Sequence, residues 1–181
     1  MLIFKSAPLE AVQLLLINLL TDCAPAISIS MEKAEEGIMK TKPLSSLGRI
    51  FDIKSISSVI AHSVFISLMT LIAYSIGNNT GNTAVAMTMA FATLGFSQIF
   101  HVLNCKFMGS IFNKQLFANK FMNYSVFVTL FIIMFLIFTP VGFLFGFNII
   151  SFGRFLTCLA LSVAIIPFSE VLKFILSRIK E

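Results

Sequence analysis

Asn18, Thr21, Asp22 and Pro25 stand at i, i+3, i+4 and i+7 within an apolar run, so an amide, a hydroxyl and a carboxylate share one helical stripe beside a helix breaker. An ionised Asp near a bilayer midplane costs about 2.5 to 3.5 kcal/mol on insertion scales, so such residues face a cavity or a partner and mark an ion or substrate path. The bland alternative is a structural hydrogen-bonding patch between helices. Leu15, Leu16, Leu19, Leu20 and Ile27 cover the opposite side and suit lipid. Other chemistry-bearing residues lack a pattern. Cys23, Cys105 and Cys158 have no metal-ligand spacing, and an odd count describes no disulfide framework. His62 and His101 have no neighbouring ligands in sequence and read as satisfied or interfacial histidines. Glu170 and Lys173, at i and i+3, read as a helix-surface pair. Asn78 and Asn123 fit N-x-[ST], a pattern common by chance.

The elements that position the stripe belong to a membrane. The 181 residues are 57% hydrophobic and 12% charged, with a mean hydropathy of +0.96, far from an average soluble domain. The expected fold class is all-α, an integral membrane helix bundle with the lipid bilayer as its surroundings. The net charge of +5 is explained by the positive-inside rule, and no nucleic-acid partner is invoked. The first apolar run is too long for a signal h-region and carries Asp22 at its centre, so no cleavable signal peptide is expected.

Runs near 20 residues, the length that crosses about 30 Å of hydrocarbon, predict five transmembrane helices over residues 11–30, 56–77, 84–104, 123–138 and 153–175. All belong to one domain, 1–181. Residues 31–55 form a charged loop with Gly37 and Pro43 as breakers. Ser63 and Ser67 suggest a small-residue packing face on the second span. Asn78 to Thr83 makes a tight uncharged turn. The third span carries Thr88, Thr93, Ser97, Gln98, His101 and Asn104, which predicts burial among helices. The fourth is nearly pure Phe, Leu, Ile and Val, with Thr129 its one polar interior residue, and is expected to face lipid. Pro167 lies inside the fifth and is expected to kink it.

Charge asymmetry sets the orientation. The loop at 31–55, the basic connector after the third span and the C-terminal end hold 11 of the 13 Lys and Arg, leaving Lys5 and Arg154 for the other side. The N-terminus is therefore expected outside and the C-terminus in the cytosol, and the expected membrane is the plasma membrane.

The stretch Ala7-Pro8-Leu9-Glu10-Ala11-Val12-Gln13-Leu14-Leu15-Leu16-Ile17-Asn18-Leu19-Leu20-Thr21-Asp22-Cys23-Ala24-Pro25-Ala26 resembles the sixth transmembrane helix of calcium-type P-type ATPases. The resemblance continues in order. Ile38 to Pro43 is similar to the following cytosolic loop, Phe96 to Asn104 to the eighth helix, Ser110 to Lys120 to the loop after it, and Ile166-Pro167 with Glu170 and Lys173 to the tenth. Nearly the whole chain thus resembles helices six to ten of a ten-helix pump.

That resemblance implies that Asn18 and Asp22 bind the cation through side-chain oxygens and that Thr21 contributes to a neighbouring site. Gln98 stands at an eighth-helix position that is an acid in two-site calcium pumps and Gln in plasma-membrane-type ones, which implies one calcium per cycle. A hard divalent ion takes about six to eight oxygens, so Ca²⁺ is the implied cargo, with Mn²⁺ the alternative carried by relatives. Pro25 cannot donate to the carbonyl of Thr21, four residues back, which frees one more oxygen. Cys23 departs from the small residue, often Gly, that the family places after the Asp. The chain has no D-K-T-G or T-G-E motif, so no catalytic residue is assigned and no ATP hydrolysis is expected of these residues alone. Three readings follow: the membrane part of a pump completed by a chain carrying the remaining domains, a truncated gene remnant, or a small membrane protein that regulates other transporters.

Overall fold

The computed structural model describes residues 7–31, 53–105 and 120–178. The charged loop, the Ile38 to Pro43 motif, the basic connector and most of the Lys and Arg used for orientation lie outside the described residues. Among the described residues the fold is all-helical, with five helical segments long and apolar enough to cross a membrane.

The first segment is three pieces: α1 (Ala11–Asn18), a π-turn (Leu19–Cys23) and α2 (Ala24–Ser30). Glu10 starts it with a capping box, its N–H donating to Gln13 Oε1 at 3.0 Å. Buried Gln13 also donates through Nε2 to the carbonyl of Phe145 at 3.0 Å, which fastens the entry of α1 to a segment 132 residues further on.

Next, α3 (Ile53–Asn78) and α4 (Thr83–Cys105) form a tight antiparallel pair. Between them Gly81 takes φ +75, which a Cβ would strain, and Asn82 Oδ1 accepts the Ala84 N–H at 3.0 Å to cap α4. The helices meet at Gly77 and Ala86, so close that a Cβ on Gly77 would lie 2.6 Å from the Ala86 Cα. The expected packing face of Ser63 and Ser67 is not used: both are exposed, and α3 turns His62, Thr70, Ala73, Tyr74 and Gly77 inward instead.

As its polar content predicts, α4 is the centre of the bundle, with Met89, Ala90, Phe91 and Ala92 fully buried and Phe96 and Ile99 nearly so. Its apolar neighbours supply the driving force that chain burial in lipid cannot, through close packing. Helix α5 (Lys120–Phe138) presents Phe127, Phe131 and Phe135 outward, yet buries Met122, Thr129, Ile133, Leu136 and Ile137. It is thus lipid-facing on one side only. A 3₁₀ helix (Pro140–Phe145) then leads to α6 (Phe152–Val163) and α7 (Ile165–Arg178). The break at Ala164 follows from Pro167, which has no N–H for the carbonyl of Val163.

Candidate cation site

The polar stripe lies on the irregular part of the first segment. Ordinary i→i+4 pairing would need the N–H of residue 25 for Thr21, and Pro25 has none. The chain widens into i→i+5 pairing over Leu19–Cys23 instead. The expected ligands do not all face one way. Thr21 is 2% exposed and faces α4, whereas Asn18 and Asp22 are exposed on the open flank of the segment.

Where the π-turn packs on α4, Thr21 Oγ1 donates toward Gln98 Oε1 at 2.8 Å and, within its own segment, toward the Ile17 carbonyl at 2.8 Å. Asp22 Oδ1 lies 3.4 Å from the same hydroxyl, too long for a good O–H···O bond. Hydroxyl, amide, carbonyl and carboxylate oxygens thus gather at one place, the types of ligand that a hard cation takes. Among the described residues no three His, Cys, Asp or Glu converge, so the oxygens that these residues offer a metal here are mostly amide, hydroxyl and carbonyl. The structure thus brings together Thr21, Asp22 and Gln98, and leaves Asn18 exposed on the flank.

One participant was not legible as such in the sequence. Thr129 of α5, 1% exposed, donates through Oγ1 to the carbonyl of Leu20 at 3.1 Å, in the middle of the π-turn. Its signal was the one polar residue in the apolar run 126–138.

Two further polar clusters lie away from the stripe. His62 and His101, unrelated by spacing, come together with ring centroids 4.4 Å apart. His62 Nδ1 lies 2.8 Å from the Ser58 carbonyl and Nε2 lies 2.8 Å from Ser169 Oγ, so both ring nitrogens are engaged. Lys173 does more than pair with Glu170 at 3.3 Å, because its Nζ also donates to Asn104 Oδ1 at 3.1 Å and ties α7 to the end of α4.

An all-helical membrane bundle with a broken, oxygen-lined first segment is the architecture of an ion-transport domain. The chain belongs to the family described as cation transporting ATPase, C-terminus, whose model matches residues 6–175. It is 32% identical over 142 residues to a calcium-transporting ATPase of Bacillus subtilis, covering 77% of this chain and 16% of that protein. A calcium-transporting ATPase of Bacillus cereus is 29% identical over 187 residues, covering 93% of this chain and 21% of the relative. A plasma membrane-type relative of Arabidopsis thaliana is 29% identical over 107 residues, covering 56% of this chain and 10% of its own length. The chain therefore spans about a fifth or less of the Bacillus relatives it matches.

Proposed function

We propose that this chain is the membrane half of a calcium-type P-type ATPase and supplies Asn18, Thr21, Asp22 and Gln98 to an intramembrane calcium site. The observation that carries the reading is the Thr21–Gln98 contact at 2.8 Å, with Asp22 beside it, formed where Pro25 prevents a regular helix. The carboxylate compensates cation charge, and the amide, hydroxyl and backbone oxygens complete hydration replacement without further net charge. Calcium is the cargo that the names of the relatives support. Four side chains fall short of the about six to eight oxygens that Ca²⁺ requires, so the remaining ligands come from the rest of the pump. That rest also carries the phosphorylation chemistry, whether it precedes these residues in one polypeptide or is a separate partner chain.

Energy from phosphoryl transfer reaches the site as helix movement, and the π-turn is the element that can change register without crossing a regular hydrogen-bond ladder. The proposed setting is the plasma membrane, N-terminus outside and C-terminus in the cytosol. Gln98 in place of an acid supports one calcium per cycle. The test is ATP-dependent calcium uptake into vesicles bearing the complete pump: Asp22→Asn abolishes it while leaving the assembly folded. Failure of the folded wild-type assembly to take up calcium would reject the reading in favour of a remnant or a regulator of other transporters.

A further inference from the structure

Leu20 lies inside the π-turn, where i→i+5 pairing assigns its carbonyl to the N–H of residue 25. Pro25 has no N–H, so that carbonyl lacks its backbone donor, a costly condition in a bilayer. Thr129, 109 residues away on α5, donates its hydroxyl to that oxygen at 3.1 Å. In ordinary helical pairing the donorless carbonyl would be that of Thr21, one residue on and about 100° further around the axis. A hydroxyl directed at the Leu20 oxygen therefore stabilises one register over the other. It is the register in which Thr21 faces Gln98 at 2.8 Å.

We propose that Thr129 is a positioning residue of the cation site: it touches no cation, and it holds the π-turn in the register that aims Thr21 at Gln98. The burial of Thr129 supports this, because the hydroxyl is 1% exposed on a helix whose outer face is Phe127, Phe131 and Phe135. Ser125 offers an internal comparison. It lies one turn earlier on α5, and its buried Oγ has no hydrogen-bond partner among the described residues. The assignment rests on the proposed cation site for its consequence, and on the hydrogen bond alone for its structure.

The first arm of the test needs no transport. Carbonyl-¹³C leucine combined with ¹⁵N threonine selects two peptide bonds of this chain, Leu20–Thr21 and Leu156–Thr157. Solid-state NMR of the bilayer-embedded chain then reads the Leu20 carbonyl directly, with Leu156 as the reference and Leu156→Ile to assign it. Thr129→Val, which keeps the shape and removes the hydroxyl, moves the Leu20 signal upfield. Thr129→Ser restores it, and Ser125→Ala leaves it in place. An unmoved Leu20 signal in Thr129→Val, or an equal shift in Ser125→Ala, overturns the proposal.

The second arm uses the complete pump. Thr129→Val raises the half-saturating calcium concentration by up to roughly tenfold with the maximal rate retained, and Thr129→Ser recovers the wild-type value. An unchanged half-saturation in a transporting pump overturns the positioning role even where the carbonyl signal moves. A wild-type pump that carries no calcium rejects the proposed function, and the carbonyl arm alone then decides this inference.

Discussion

Replacing Gly77 by Ala tests whether the approach of α3 to α4 sets the position of the central helix. An ideal Cβ at Gly77 lies 2.6 Å from the Ala86 Cα, 3.1 Å from its N and 3.2 Å from its Cβ. Two of these three atoms are backbone, which cannot rotate aside, so the helices must part by roughly an ångström at this end. Overpacking of this kind costs about 1 to 3 kcal/mol. Against it stands the higher helix propensity of Ala, worth up to about 1 kcal/mol. Sterics win, with a net loss of about 1 to 2 kcal/mol. Two other glycines calibrate the comparison. At Gly95 the nearest atom is the Ile133 Cδ1, 2.8 Å away, a terminal methyl that can swing, so Gly95→Ala costs less. At Gly153 nothing lies within 4 Å, so Gly153→Ala keeps the propensity gain alone. Reversible unfolding of the full chain in bilayer-like micelles should rank the stabilities Gly153→Ala above Gly95→Ala above Gly77→Ala. Equal stability of Gly77→Ala and Gly153→Ala would refute the argument, because it would mean the two backbones are not in contact.

Two other outcomes follow from the polar clusters. Ser169→Ala removes the hydroxyl 2.8 Å from Nε2 of the 7% exposed His62 and should destabilise by about 1 to 3 kcal/mol in the same assay, whereas His62→Phe with Ser169→Ala should recover much of the loss. Lys173→Met should cost only about 1 kcal/mol, since the Lys173–Glu170 pair is about a third exposed and screened, yet it should lower hydrogen-exchange protection at the end of α4 that Asn104 anchors.

The helical spans and the central place of α4 were legible because a bilayer imposes length and apolarity on every crossing, and because Thr88, Thr93, Ser97 and Asn104 make sense only against other helices. The spacing of Asn18, Thr21, Asp22 and Pro25 marked the candidate site in the sequence and carried only part of its geometry. The stripe spacing assumes a regular helix of 3.6 residues per turn, and Pro25 breaks that regularity at the stripe itself. Widening to i→i+5 pairing altered the angles between Thr21, which faces inward, and Asn18 and Asp22, which lie on the flank. It also moved the donorless carbonyl from Thr21 to Leu20. Contacts between distant segments, such as Thr129 with Leu20 and His62 with His101, depend on how α3, α4 and α5 rotate about their axes. Local pattern carries no record of that rotation.

The division of the stripe bears on what these residues do without the rest of a pump. Thr21 and Gln98 meet directly where the π-turn packs on α4. Asp22 faces outward, and a carboxylate left toward hydrocarbon costs about 2.5 to 3.5 kcal/mol. At about 1.4 kcal/mol per factor of ten, that penalty favours a covered state by roughly two orders of magnitude. A segment bringing oxygen ligands to the Asn18–Asp22 flank would therefore be held there by the burial of Asp22 as well as by any ion it helps to bind. On the proposed function, the isolated chain should bind calcium poorly, because four side chains fall short of the about six to eight oxygens that Ca²⁺ takes; micromolar binding by the purified chain would refute this.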